Sequence, residues 1–254
     1  MSNIKLKDRI ETYQSDNDYR LTRRLPIIIA VNGRSTHKVS NLLDKPFSED
    51  FAHCMSETML KLCLEVDGVL FAYQHNDEIV MVVKNDQTLG TMPWYDNRIQ
   101  KIVSVISSMA TLQFAKTSEE VNLHLHGNLL FGTQAFVVPT VVEAINTLIY
   151  KQQYNFNTSL EFSCFYELLK KQLDKNTIKE MLYGLSTDDK ISLLHQECNI
   201  DINDYPSSFR RGVACYRIPQ HSTHNVIKNK WFLNDKLPIF TKDHNFLNNI
   251  IKDS

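Results

Sequence analysis

Two adjacent carboxylates lie in a short polar segment between two apolar runs of the sequence. The polar segment runs from Tyr73 to Glu78 and includes Asp77, and the apolar runs 68–72 and 79–83 flank it. Apolar runs of this length around a polar turn predict a β-hairpin that carries the carboxylates at its tip. Successive strand side chains point to opposite faces, so Asp77 and Glu78 face different ways in a regular strand. One carboxylate can then point into a cleft while other contacts hold its neighbour.

A second apolar run, 26–31, ends in the polar sequence Asn32-Gly33-Arg34. If this strand lies beside the hairpin, the polar ends of both form one site. Mg²⁺ takes one or two carboxylates together with phosphate oxygens, so this pattern suits divalent metal ions and a triphosphate. An ordinary hairpin with a solvated tip is the alternative, because short motifs are weak signals.

Composition excludes several classes of protein. The chain has 254 residues, which fits one large domain or two small ones, and a net charge of −1, which gives no global signature of nucleic-acid binding. Its five cysteines are odd in number and form no CxxC pair, so structural zinc and a disulfide framework are disfavoured. Reduced thiols predict a cytoplasmic protein. The charged N-terminus has no secretory signal, and no apolar run is long enough to span a membrane.

Hydrophobic periodicity predicts the order β-α-β-β-α-β over residues 26–138, as in ferredoxin-like folds. We therefore expect an α/β (α+β) fold, a ferredoxin-like palm with an antiparallel sheet and helices on one face, plus a helical C-terminal part. The expected palm elements are a strand at 26–31, a helix at 48–65, the hairpin at 68–84, a helix from Tyr95 to Leu112, and strands at 121–126 and 131–138. The expected later elements are helices at 141–150, 161–173 and 177–183, a strand at 213–218, and a polar tail. Pro139 is the best candidate for a boundary, which gives an N-terminal segment 1–25, a palm-like domain 26–138, a helical part 139–218 and a C-terminal tail 219–254.

Five segments, taken in their order and spacing, resemble motifs of the tRNA-His guanylyltransferase family. The resemblance is closest to its bacterial and archaeal-type relatives that act as 3′-to-5′ polymerases, and it covers residues 24–218. The segments are Asn32-Gly33-Arg34-Ser35-Thr36-His37, Lys45-Pro46-Phe47, His75-Asn76-Asp77-Glu78, the stretch Arg98 to Ser104, and Asn203-Asp204-Tyr205-Pro206 followed by Phe209-Arg210-Arg211-Gly212.

The resemblance implies a nucleotidyltransferase that adds nucleotides to the 5′ end of tRNA or tRNA-like RNA by two-metal phosphoryl transfer. It implies two Mg²⁺ ions as cofactors and GTP, ATP or another NTP as substrate. Carried over residue by residue, Asp77 would hold metal by its carboxylate and Gly33 by its carbonyl, and Asn32 occupies the position of the third ligand. Glu78 would support the metal site.

A nucleotide pocket is implied around these metal ligands. The residues expected to bind nucleotide are Gly33, Arg34, Ser35, Thr36, His37, Lys45, Asn76, Arg98, Lys101 and Ser104. Arg98 and Lys101 share a helical face with Ser104 close by, and such a face suits a triphosphate. A solvated basic helix face is the alternative.

RNA contacts are implied in the C-terminal half, at Lys151, Gln152, Arg210 and Arg211. The family's Trp-Arg-Gln-x-Asp-Ala segment appears here as residues 150–155, with only Gln152 kept in register and Lys151 in place of arginine. Residues 131–134 have lost an acid and a base relative to the family. The partners expected are tRNA, nucleoside triphosphates and further copies of the chain in a homo-oligomer, a tetramer by resemblance, with no membrane.

Position 32 departs from the family, which has aspartate there. An amide offers Mg²⁺ one neutral oxygen, so the change should weaken at least one metal site. Either the asparagine was introduced to trap a complex, or the natural protein is slow, altered or inactive. The alternative function is therefore a catalytically weakened palm that binds nucleotide or RNA as a sensor or as the partner subunit of an active homologue. A cyclase-type palm shares the topology, but the stretch 98–104 and the final Arg-Arg-Gly argue against it.

His124 and His126 alternate with leucines and would share one face of a strand. They could bind a metal, but no third ligand is evident nearby, so a polar sheet face is the preferred interpretation.

Overall fold

The computed structural model describes residues 5–85, 90, 92–123, 125, 129–221 and 227–252, apart from the side chains of a few residues such as His37. The strands are β1 (Ile27–Arg34), β2 (Val69–His75), β3 (Glu78–Val83), β4 (Leu130–Val137), β5 (Val213–His221) and β6 (Ile227–Asn234). The α-helices are α1 (Leu6–Ser15), α2 (Thr36–Val39), α3 (Glu49–Glu65), α4 (Ile99–Glu120), α5 (Val141–Lys170), α6 (Lys175–Leu182), α7 (Thr187–Cys198), α8 (Ser207–Arg211) and α9 (His244–Ile251).

One sheet joins all six strands in the order β4-β1-β3-β2-β5-β6, and every pair is antiparallel. The first four strands with α3 and α4 form the expected β-α-β-β-α-β unit, so the predicted ferredoxin-like palm is confirmed. β5 and β6 extend the sheet beyond β2. Residues 219–221 and 227–234 are therefore part of the sheet, which the expectation of a polar tail from Pro219 did not predict. Trp231 and Phe232, expected as anchors of the tail, lie in β6, and the third expected anchor, Phe240, is buried.

Alternating residues of β1 divide the core between the two faces of the sheet. Ile27, Ile29 and Val31 face one core, which α3 and α4 cover. Ile28 faces a second core, which the first part of α5 and α9 cover. The two palm helices, α3 and α4, thus pack on one face of the sheet as expected, and the later helices α5 and α9 cover the other face. The physical reason is that a sheet with apolar residues on both faces must bury both.

Helix α3 follows the predicted pattern closely. The Ser48 hydroxyl caps it by accepting a hydrogen bond from the Phe51 N–H, and apolar residues at helical spacing such as Met55, Met59 and Leu62 are buried. Helix α4 is longer than the expected helix and begins at Ile99, later than Tyr95, because Tyr95 adopts a positive φ.

Helix α5 is one continuous element of 30 residues, where the sequence predicted two helices at 141–150 and 161–173. Its first half packs on the sheet, and its second half packs with α6 and α7 in a third core. The apolar face therefore changes direction along the helix, which hides its continuity in the sequence. Helix α7 was not predicted.

The expected strand at 121–126 is also wrong, since Val121 and Asn122 form a turn and Leu123 and Leu125 are in no strand. His124 and His126 lie outside the described residues, so their metal-binding interpretation stays untested. The division at 1–25, 26–138, 139–218 and 219–254 stays a prediction, although β5 crosses position 219. Among the described helices, none combines the length and the apolar character that crossing a membrane requires.

Candidate active site at the hairpin tip

The tip of the β2–β3 hairpin is joined to the end of β1 by backbone hydrogen bonds. Asn32 lies opposite Glu78 in the antiparallel ladder, and the Gly33 N–H donates to the Asp77 carbonyl oxygen at 2.9 Å. Within the tip, Asn76 has a positive φ of 49°, and its carbonyl oxygen accepts a hydrogen bond from the Gln74 amide. The two polar segments expected to meet are therefore in direct contact.

Gly33 is the residue that lets these segments approach so closely. A Cβ added to Gly33 would lie 2.7 Å from the Thr36 hydroxyl oxygen and 3.2 Å from both Cβ and Oδ2 of Asp77. The Thr36 hydroxyl in turn donates to Asp77 Oδ2. A larger residue would displace the carboxylate, so glycine, threonine and aspartate fix the position of Asp77 together.

Asn32 and Glu78 point to the same face of the sheet, because they are directly opposed in the ladder. This is the face covered by α5, and Lys151 of α5 forms an ion pair with Glu78, with 2.5 Å between Nζ and Oε1. Only 13% of the Glu78 side chain and 24% of the Lys151 side chain are exposed. The structure thus places Lys151, expected to contact RNA, against a carboxylate of the hairpin.

The hairpin tip opens into a cleft of about 780 Å³, here called the Asp77 cleft, between the hairpin, segment 43–48 and α5. Seven of the predicted site residues line it: Asn32, Thr36, Lys45, Asn76, Asp77, Glu78 and Lys151. Burial lowers the pKa of Lys45, and its ammonium lies 5.2 Å from the centroid of the Tyr166 ring. A cleft with both carboxylates and ammonium groups can accept a ligand that carries metal and phosphate.

An aromatic wall of the Asp77 cleft was not predicted. It consists of Tyr150, Tyr154, Phe162 and Tyr166 on α5, together with Phe47. The α5 members, with Thr158 between them, repeat every four residues, which is the spacing of one helical face. This signal was available in the sequence, but only a prediction of one continuous helix over 141–170 would have exposed it.

His75, just before the tip, is buried between β2 and α5. Its Nε2 lies 2.7 Å from the Phe209 carbonyl oxygen and 3.2 Å from the Ser159 hydroxyl oxygen. Burial lowers the pKa of His75 to about 4, so the ring is neutral at pH 7 and carries its proton on Nε2. His75 holds the hairpin to α5 and α8 and was missed as a site residue.

The helix face that carries Arg98, Lys101 and Ser104 lies away from the Asp77 cleft of the same chain. Thr111 of α4 accepts a hydrogen bond from the Phe131 N–H, and Phe131 lies opposite Gly33. Arg98 precedes Thr111 by 13 residues, which is about 20 Å along a helix. The Arg98 guanidinium instead lies 3.3 Å from the Asp18 carboxylate.

Lys101 and Ser104, the other two residues of this face, also contact groups close to them in the sequence. The Lys101 ammonium lies 6.0 Å from the Tyr95 ring centroid, and the Ser104 hydroxyl donates to the Lys101 carbonyl oxygen. A triphosphate role for these residues stays a prediction. Of the remaining predicted nucleotide ligands, Arg34 and Ser35 are exposed after the Asn32-Gly33 pair, and the side chain of His37 lies outside the described residues.

Gln152 is buried and holds the C-terminal segment against α5. Its amide nitrogen lies 3.0 Å from the Pro238 carbonyl oxygen and 3.3 Å from that of Arg211, and its amide oxygen accepts a 2.8 Å bond from the Phe240 N–H. Only 5% of Gln152 is exposed. The structure gives this predicted RNA ligand a set of internal partners.

Arg210 and Arg211 line a second cavity of about 650 Å³ between α5, α7 and α8. The Arg210 guanidinium donates to the Tyr205 carbonyl oxygen and to the Asn203 side chain, and burial lowers its pKa. The Arg211 guanidinium donates to the Leu237 carbonyl oxygen. Their contact with RNA stays a prediction.

Comparison with known proteins is consistent with the motifs. The chain is 25% identical over 234 residues to tRNA(His) guanylyltransferase 1 of Arabidopsis thaliana, covering 88% of this chain but 39% of that protein. It is 27% identical over 210 residues to the probable tRNA(His) guanylyltransferase of Dictyostelium discoideum, covering 80% of each. The structure of a bacterial tRNA(His) guanylyltransferase-like protein in complex with ATP superposes with a TM-score of 0.82 at 25% identity, covering 98% of this chain and 99% of that chain.

Two family models together cover most of the chain. The model of tRNAHis guanylyltransferase matches residues 7–139, and the model of the C-terminal domain of the same family matches residues 148–245. The first match alone exceeds half of the 254 residues. The chain therefore belongs to the tRNAHis guanylyltransferase family, as its motifs predicted.

Proposed function

We propose that this chain is a nucleotidyltransferase that adds nucleotides in the 3′-to-5′ direction to the 5′ end of tRNA or a tRNA-like RNA. The family membership supports this activity, and the geometry around Asp77 is the single observation that carries it. Gly33 and Thr36 fix the Asp77 carboxylate at the rim of a cleft of about 780 Å³, which is in the size range of small-molecule sites.

The donors at the tip fit one Mg²⁺ ion. Asp77 offers a carboxylate, Asn32 and the Gly33 backbone offer neutral oxygens, and phosphate and water would complete the shell. Bound there, Mg²⁺ would supply polarisation of a phosphoryl oxygen. We assign to Lys45 the neutralisation of phosphate charge, because its ammonium shares the cleft.

The remaining chain residues would orient the substrates. Thr36 and Asn76 would position the nucleotide beside Asp77, and the aromatic wall of α5 offers faces for base stacking. The expected RNA partner would approach from the side of Arg210 and Arg211, where guanidinium groups can pair with phosphates. A homotetramer and a cytoplasmic location belong to the same proposal and rest on the family resemblance and on the reduced thiols.

The test is an extension assay with a 5′-truncated tRNA, labelled GTP or ATP, and Mg²⁺. We expect addition of nucleotide at the 5′ end, and we expect Asp77→Asn to abolish it. Asp188→Asn is the matched control, because Asp188 is an exposed carboxylate in the first turn of α7. No extension by either the unsubstituted chain or an Asn32→Asp variant would refute the proposed activity.

Asn32 favours a second candidate, a palm that binds nucleotide or RNA without turnover, as a sensor or as a partner subunit. The amide removes one negative charge from the position that faces Glu78. Nucleotide binding by the unsubstituted chain, with extension only after Asn32→Asp, would support this candidate over the first.

A further inference from the structure

The residues that line the Asp77 cleft include five charged side chains. The acids are Asp44, Asp77 and Glu78, and the bases are Lys45 and Lys151. His75 also lines the cleft but is neutral at pH 7. The net charge of these groups is −1, which is low for a site expected to hold two dications.

The three acids are not equally available to a metal. Glu78 is paired with Lys151 at 2.5 Å, and both side chains are largely buried. A paired and partly buried carboxylate is costly to separate from its partner, because the separated charges would stay poorly solvated. Asp44 is exposed on segment 43–48, and in the part of the chain that the structure describes no three His, Cys, Asp or Glu residues come together as a metal-binding group.

Asp77 is then the one acidic donor at the tip without a basic partner among the described contacts. Its Oδ2 accepts the Thr36 hydroxyl, which orients the carboxylate without cancelling its charge. Two metal ions in a phosphoryl-transfer site lie about 3.5–4 Å apart and repel each other strongly unless anionic ligands lie between them. At position 32, beside Asp77, the chain supplies a neutral amide.

We infer that this chain binds its nucleotide with one divalent cation instead of two, because the Lys151–Glu78 ion pair and Asn32 leave Asp77 as the single charged ligand. This inference rests on the proposed nucleotide site and specifies its metal content. Lys151 is a positioning residue here: it holds Glu78 away from the cation and is not itself a ligand.

Counting bound Mn²⁺ tests this without requiring turnover. Mn²⁺ is titrated into equal concentrations of the chain and α,β-methylene ATP, and free Mn²⁺ is measured by its electron paramagnetic resonance signal, with the analogue alone subtracted. We expect one Mn²⁺ per bound nucleotide for the unsubstituted chain and two for Asn32→Asp. We expect Lys151→Gln, which frees Glu78, to raise the count above one at Mn²⁺ concentrations at which the unsubstituted chain binds one ion, and a count that stays at one would contradict the role given to Lys151.

Lys190→Gln is the control, because it removes a largely buried lysine of α7 from a 2.8 Å ion pair with the exposed Glu161, outside the cleft lining. It should leave the count at one. Two Mn²⁺ ions of similar affinity in the unsubstituted chain would overturn the inference while leaving the proposed activity intact. The same holds for an unchanged count in an Asn32→Asp variant that circular dichroism shows to be folded. Failure of the analogue to bind at any Mn²⁺ concentration would refute both.

Discussion

Replacing Gln152 by leucine separates two roles that the sequence and the structure give to the same residue. The family resemblance places Gln152 at the RNA, whereas the structure buries it between α5 and the segment that ends at Phe240. Leucine has nearly the same size as glutamine but cannot form the three hydrogen bonds. The variant should therefore unfold more easily if the structural role is the dominant one.

The magnitude follows from the groups left without partners. The 2.8 Å bond from the Phe240 N–H and the 3.0 Å bond to the Pro238 carbonyl oxygen are well formed, and the 3.3 Å bond to Arg211 is weaker. An unsatisfied buried polar group costs about 1–3 kcal/mol. Two such groups, with part of the cost recovered by the apolar leucine, give a loss of about 3 kcal/mol in the free energy of unfolding. For a chain of this size that corresponds to about 6–12 °C in Tm.

Urea and thermal unfolding of Gln152→Leu, followed by circular dichroism, measure this loss. Gln153→Leu is the control, because the adjacent side chain is exposed and should change stability by less than about 0.5 kcal/mol. RNA affinity is measured on both variants below their unfolding transitions. Equal stability of the two variants, combined with RNA affinity lost only in Gln152→Leu, would refute the structural assignment and restore the RNA contact.

Three further predictions follow from the contacts. Gly33→Ala should abolish binding of a nucleotide analogue in the presence of Mn²⁺, since the new Cβ would lie 3.2 Å from the Asp77 carboxylate; Gly90→Ala, whose added Cβ has no atom of the described residues within 4 Å, should bind normally. Burial lowers the pKa of His75 to about 4, so between pH 6.5 and 4 the unfolded chain binds more protons than the folded chain. The free energy of unfolding, measured in EDTA, should therefore fall by about 3 kcal/mol as the pH drops through this window. The same pH dependence in His75→Gln would contradict the assignment to His75. Cys198 is half-buried and the other four cysteines are buried, so a thiol reagent should modify Cys198 first; an unchanged fast phase in Cys198→Ser would count against this.

Local patterns were sufficient for the palm. The runs around residues 26–31 and 68–84 are apolar, and α3 has a capping serine and helical spacing, so each element could be predicted within a few residues. The antiparallel order then followed from the sequence of elements. Asp77 and Gly33 could be identified because the family motifs that contain them coincide with the predicted hairpin turn and with the predicted end of the first strand.

Elements whose partners change along their length were not predictable in this way. The mostly polar segment 151–158 divides α5 into two apparent helices, because the buried face of α5 moves from the sheet core to the helical core. Strand β6 lies at the edge of the sheet and pairs only with β5 among the described strands, so its sequence needs little apolar alternation.

The sequence by itself determined the family, the palm topology and the acid at the hairpin tip, because these depend on short-range patterns and motif order. Tertiary structure alone decided which side chains share the site. It pairs Lys151 with Glu78 across 73 positions of the chain, buries Gln152, and sets Arg98 about 20 Å along α4 from the level of the hairpin tip. Such long-range distances are fixed by how helices pack on the sheet, and no local pattern encodes them.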